Sequence, residues 1–127
     1  MRKILFVHDQ EKIKDMISQY IRLNDFEVDT ADNSTGAYIL FEKEKYDLVI
    51  CSETLDPLTG IELLKKIRLT SDENKRKVNM MLVGREDPDF KLSNFLAKYE
   101  INFITFYRRI SIWVDKINVI LAEDKAF

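Results

Sequence analysis

Four polar residues stand directly behind apolar runs, where a folded chain can gather chemistry. His8 and Asp9 follow Ile4-Leu5-Phe6-Val7, and Ser52 and Glu53 follow Leu48-Val49-Ile50-Cys51. Serine, histidine and aspartate together can supply a nucleophile, its base and the acid that orients the base. The spacing argues against that triad. His8 and Asp9 are chain neighbours at the end of an extended run, so their side chains point to opposite faces. Ser52 lacks the flanking glycines that expose a hydrolase nucleophile. The three read instead as polar residues filling a pocket. Glu53 adds a fixed negative charge, but one carboxylate copies a phosphate only weakly, and a surface loop acid is the plainer reading. Cys51 lies in an apolar run with no cationic neighbour to lower its pKa, so it reads as a small buried hydrophobe.

The elements that must position these residues follow from hydrophobic spacing. Ile4–Val7 is a short continuous apolar run, as a strand buried on both faces requires. Glu11–Leu23 changes to helical spacing, with Ile13, Met16, Ile17, Tyr20 and Ile21 on one face. Phe26–Ala31 alternates apolar and polar like an outer strand. Asn33 or Ser34 can cap a helix that buries Ala37, Leu40 and Phe41. Leu48–Cys51 is a second core strand. Asp56–Gly60 forms a loop before a helix carrying Ile61, Leu64 and Ile67. Ser71–Lys77 reads as a polar loop, and Val78–Val83 as a third core strand. Asp87-Pro88 reads as a helix cap followed by proline at the first helical position, in front of buried Phe90, Phe95, Leu96 and Tyr99. Ile101–Phe106 makes the fifth strand. Ile110–Leu121 makes a last helix facing inward through Ile110, Trp113, Ile117, Ile120 and Leu121.

Strand alternating with helix five times predicts a five-stranded parallel sheet, doubly wound and flavodoxin-like, a three-layer sandwich of one domain over residues 1–127. Ligands of such sheets sit beyond the carboxyl ends of the strands. Here those ends are His8-Asp9, Ser52-Glu53, Val83-Gly84 and Phe106-Tyr107.

Bulk properties narrow the classes. The 127 residues are 46% hydrophobic, which suits one globular domain and argues against disorder. Twenty basic residues against 22 acidic ones give a net charge of -2, without the basic excess of a nucleic-acid binder. No apolar stretch approaches membrane-spanning length, and the first one is too short for a signal peptide. One cysteine cannot form an internal disulfide. The expectation is a cytoplasmic protein that binds neither nucleic acid nor membrane.

Asp47-Leu48-Val49-Ile50, followed after eight residues by Thr59-Gly60-Ile61-Glu62-Leu63-Leu64, resembles the third strand, loop and third helix of the receiver domains of bacterial two-component response regulators. Lys3 to Gln10 resembles their first strand and acidic turn. The resemblance implies a phosphoacceptor aspartate after the third strand, an acidic pair holding Mg²⁺, a Ser or Thr after the fourth strand and a Lys after the fifth. This chain departs from nearly every one of these, keeping only the second acid of the pair, as Asp9. The acceptor position falls on Ser52, and the acidic pair on His8 and Asp9. The hydroxyl position falls on Val83, and the lysine on Phe106, with Tyr107 where a proline follows. Asp56 stands at the usual loop-proline position, and Pro57 comes one later. Phe106 removes a charge that no sequence neighbour replaces, Val83 offers no oxygen, and Asp9 is a weak metal candidate on its own. The resemblance therefore implies a pseudo-receiver: a non-enzymatic phosphorelay-type module, without Mg²⁺ as cofactor, that acts by binding a protein partner.

In the family, the fourth helix, fifth strand and last helix form the usual docking face. Phe103, Tyr107, Arg108, Arg109 and Lys116 are its candidates here, and a homodimer stays open. Phe103 matches a switch aromatic, although static packing of Phe103 and Phe106 is the plainer reading. Two alternatives remain: phosphorylation on Ser52, Glu53 or Asp56, or a small-molecule sensor using the altered crevice.

Overall fold

A computed structural model gives the architecture. It describes residues 1–124, and the side chains of residues 1–122. The strands are β1 (Lys3–Val7), β2 (Glu27–Ala31), β3 (Leu48–Ser52), β4 (Asn79–Gly84) and β5 (Asn102–Thr105). The helices are α1 (Glu11–Leu23), α2 (Ser34–Lys43), α3 (Gly60–Arg68), α4 (Glu73–Arg76), α5 (Phe90–Lys98) and α6 (Ile110–Asp124). The strands form one sheet in the order β2-β1-β3-β4-β5, and every neighbouring pair is parallel.

The apolar runs of β1, β3 and β4 have two buried faces because alternate residues enter different helical layers. Ile4, Phe6, Leu48, Ile50, Met81 and Val83 join α1 and α6 in one core, around Ile17, Ile21, Trp113 and Ile117. Leu5, Val7, Val49, Cys51, Met80 and Leu82 join α2, α3 and α5 in the other, around Phe41, Leu63, Leu64 and Leu96. Residues just past the strand ends inherit this alternation, which decides which side of the sheet edge each of them serves.

Several expectations need correction. Met16 is exposed, because α1 buries a narrower stripe through Ile17, Ser18 and Ile21. Ser18 can lie inside because its hydroxyl donates to the Asp15 carbonyl. The segment expected as a loop over Ser71–Lys77 contains the single turn α4, capped by Asp72. Helix α5 begins at Phe90 and not at Pro88. The Asp89 carboxylate accepts the Leu92 N–H at 2.8 Å, so the cap lies two residues after Asp87. Phe90 thus becomes the first helical residue, turned outward and 84% exposed instead of buried. Strand β5 stops at Thr105, leaving Phe106 just beyond it. No helix among the described residues is long and apolar enough to cross a membrane.

Candidate functional site

Backbone bonds that continue the ladder past each strand place the site. His8 N–H donates to Ala31, Glu53 N–H to Val83, and Phe106 N–H to Gly84. These bonds pin the residues after β1, β3 and β5 at one edge of the sheet. A cavity of about 320 Å³ opens there, lined by His8, Ser52, Glu53, Val83 and Phe106. Five of the six expected pocket residues therefore converge. Gln10, Thr54, Gly84, Arg85 and Tyr107 complete the lining.

Asp9 is the exception. Its side chain is 45% exposed and does not line the cavity. The chain turns outward after His8, so the two neighbours separate as their order in an extended chain requires. Arg85, one residue past β4, is exposed and borders both this cavity and the neighbouring one beside α5. Arg85, Gln10 and Thr54 escaped sequence reasoning because they follow the strand-end residues by one or two positions. Reading each strand-end loop further would have found them.

His8 is the most enclosed polar group of the site, at 4% exposure. Its Nδ1 accepts the Gln10 N–H at 3.0 Å. A nitrogen that accepts a hydrogen bond carries no proton, so the neutral ring bears its hydrogen on Nε2. Nδ1 also lies 3.5 Å from an Asp9 oxygen, but this is not an ion pair at neutral pH. Burial pushes the His8 pKa down, and Asp9 offsets it only in part. The ring stands between Phe6 and Phe106, with centroids 6.1 and 6.2 Å away. Phe106 meets Tyr107 edge to face at 5.7 Å.

No hydrolytic triad forms. The Ser52 hydroxyl faces Thr54, whose hydroxyl and N–H both lie at 3.4 Å, and it makes no bond to His8. Cys51 is wholly buried, its thiol pointing to the Gly60 carbonyl at 3.6 Å, and burial raises its pKa strongly. Glu53 lines both this cavity and a neighbouring one beside α5, as Arg85 does. A Cβ on Gly84 would lie 3.1 Å from the Glu53 carboxylate and 2.7 Å from the Phe103 ring, so a larger residue there would have to displace the tip of Phe103.

The candidate partner face divides. Tyr107, Arg108 and Arg109 are exposed in the turn before α6. Phe103 is half-buried against the α5-side core. Lys116 is not a free rim charge: its ammonium donates to the Phe103 carbonyl at 2.5 Å and covers part of the β5 edge.

A sheet of this order with a cavity past β1, β3 and β4 invites comparison with known proteins. The family model described as response regulator receiver domain matches residues 4–103. The chain belongs to the response regulator receiver domain family. It is 35% identical over 89 residues to the transcriptional regulatory protein CpxR homolog of Haemophilus influenzae, covering 70% of this chain and 37% of that protein. It is 26% identical over 93 residues to the transcriptional regulatory protein SrrA of Staphylococcus aureus, again covering 37% of that protein. The chain thus spans little more than a third of these curated relatives. Among solved structures, a receiver domain protein of Methanospirillum hungatei superposes with a TM-score of 0.86 at 21% identity, covering 98% of this chain and 97% of that one. The chemotaxis protein CheY4 of Vibrio cholerae superposes with a TM-score of 0.85 at 19% identity, covering 94% and 98%. These identities establish a shared receiver fold, and the family match makes the chain a receiver domain, a signalling module of two-component systems.

Proposed function

We propose that this receiver domain is a pseudo-receiver: it signals by docking onto a protein partner, without catalysis and without an aspartyl-phosphate switch at the usual position. The observation that carries the reading is the residue set on three converging strand ends. Ser52 after β3, Val83 after β4 and Phe106 after β5 share one cavity. A serine hydroxyl attacks phosphorus poorly without a base, and His8 makes no bond to it.

The donor set also fits Mg²⁺ poorly. That ion takes one or two carboxylates and completes a near-octahedral shell with waters and substrate phosphate oxygens. Asp9 stands outside the cavity lining, which leaves Glu53 as the one carboxylate among the described lining residues, beside Arg85, a cation that competes with the metal for it. The bacterial, cytoplasmic setting belongs to the same proposal, as does the docking face, now narrowed to Tyr107, Arg108 and Arg109.

The test is intact-mass measurement after incubation with acetyl phosphate and Mg²⁺. An unchanged mass is expected. A stable gain of one phosphoryl group, on Ser52, Glu53 or Asp56, would overturn the reading.

A further inference from the structure

The cavity past β1, β3 and β4 holds more polar capacity than a packing remnant requires. His8 is almost wholly enclosed, yet only its Nδ1 is bonded. No fully buried side-chain nitrogen or oxygen among the described residues lacks a partner, so the unpartnered Nε2–H reaches the cavity that His8 lines. Burying a ring with one donor left open toward a cavity suits a group that will accept from it.

Two opposite charges flank the same opening. Arg85 and Glu53 both line it and the neighbouring cavity, and neither side chain makes an ion pair or hydrogen bond with the other or with any described residue. Val83, Phe106 and Tyr107 contribute apolar surface to the same cavity. The volume of about 320 Å³ falls at the small end of small-molecule sites, which run from about 300 to 1,000 Å³.

Charge complementarity selects among ligands. A phosphate dianion would gain Arg85 but crowd against Glu53, with Asp9 nearby. A simple carboxylate would still leave Glu53 unpaired. A molecule with both charges pairs each of them, and charge-assisted bonds to Arg and carboxylate are the strong ones.

We propose that this cavity binds a small zwitterion of the amino-acid class, its carboxylate on Arg85 and the His8 Nε2–H, its ammonium on Glu53, and its apolar side chain against Val83, Phe106 and Tyr107. The inference rests on the reading that the cavity is not a phosphoryl site.

Calorimetric titration of the full chain tests it with four probes: L-phenylalanine, L-phenylalaninamide, 3-phenylpropionate and inorganic phosphate. L-Phenylalanine is expected to bind saturably at one site. The amide lacks the carboxylate and the propionate lacks the ammonium, so each should bind at least tenfold more weakly, and phosphate should give no saturable heat. Arg85→Gln and Glu53→Gln should each weaken L-phenylalanine at least tenfold. Lys91→Gln, which touches only the neighbouring cavity, should leave it unchanged. Absence of saturable binding by L-phenylalanine, equal binding of 3-phenylpropionate, or saturable phosphate binding would each overturn the proposal. The acetyl phosphate experiment separates the two failures. No binding with an unchanged mass sinks the zwitterion alone, whereas a phosphoryl gain sinks the reading beneath it.

Discussion

At the scale of single residues, His8 and Gly60 show how local chemistry becomes measurable. His8 is the chain's one histidine, so its titration stands apart from that of other imidazoles. Its folded pKa lies below the ordinary 6.5 because burial disfavours the charged ring. The unfolded chain therefore takes up a proton below about pH 6.5 while the folded chain still resists. Stability is full above that value and falls as pH drops through the window beneath it, by at most about 1.4 kcal/mol per pH unit for one proton. Urea unfolding of the wild type at pH 7.0 and 5.5 should show that loss, and His8→Gln should flatten it.

Gly60 makes a steric demand. A Cβ there would lie 2.0 Å from the Ser52 carbonyl oxygen, a backbone atom with nowhere to go, while Gly60 N–H donates to Glu53 at 3.0 Å. Gly60→Ala should cost on the order of 3 kcal/mol by urea denaturation, because the β3–α3 loop must move and carry Ser52 with it.

At the scale of elements, caps and one arginine hold the helices in register with the sheet. Thr59 and Glu62 form a reciprocal capping box at the start of α3, with bonds of 3.2 and 3.0 Å. Thr59→Ala should lower stability by about 1 kcal/mol. Arg68 at the end of the same helix donates to the carbonyls of Arg76, Val78, Tyr99 and Glu100, tying α3 to the segments that lead into β4 and β5. Arg68→Met keeps much of the stem but leaves those carbonyls without their donor. A loss of about 2–4 kcal/mol in urea unfolding is expected. On the exposed turn before α6 the opposite holds. Tyr107→Ala with Arg108→Ala should leave stability within about 0.5 kcal/mol each, since neither residue is buried, which keeps a docking test there free of unfolding.

At the scale of the whole molecule, two apolar cores share one sheet, and each strand residue commits to one of them by alternation. Disturbing one layer therefore disturbs the sheet that supports the other. Trp113 is 1% exposed in the α6 layer and meets Phe6 of β1 edge to face at 6.2 Å. Its fluorescence should report the same urea transition as far-UV circular dichroism. Separated midpoints would mean that the two layers unfold independently.

The sequence by itself determined the order of strands and helices, the parallel sheet and the strand ends where a site must lie. Those features follow from short-range periodicity, which the chain carries in plain form from Ile4–Val7 to Ile101–Phe106. It also singled out His8, Ser52, Glu53, Val83 and Phe106, because each stands at or just past the end of such a run. Tertiary structure decided what periodicity cannot encode. It turned Asp9 outward, set the exposed Arg85 at the border of the cavity, and gave Lys116 to the Phe103 carbonyl in place of a partner. It also moved the α5 cap to Asp89 and left Phe90 in solvent. Each of these outcomes depends on where a loop lays its side chains once distant strands are paired, and no local spacing of apolar residues fixes that direction.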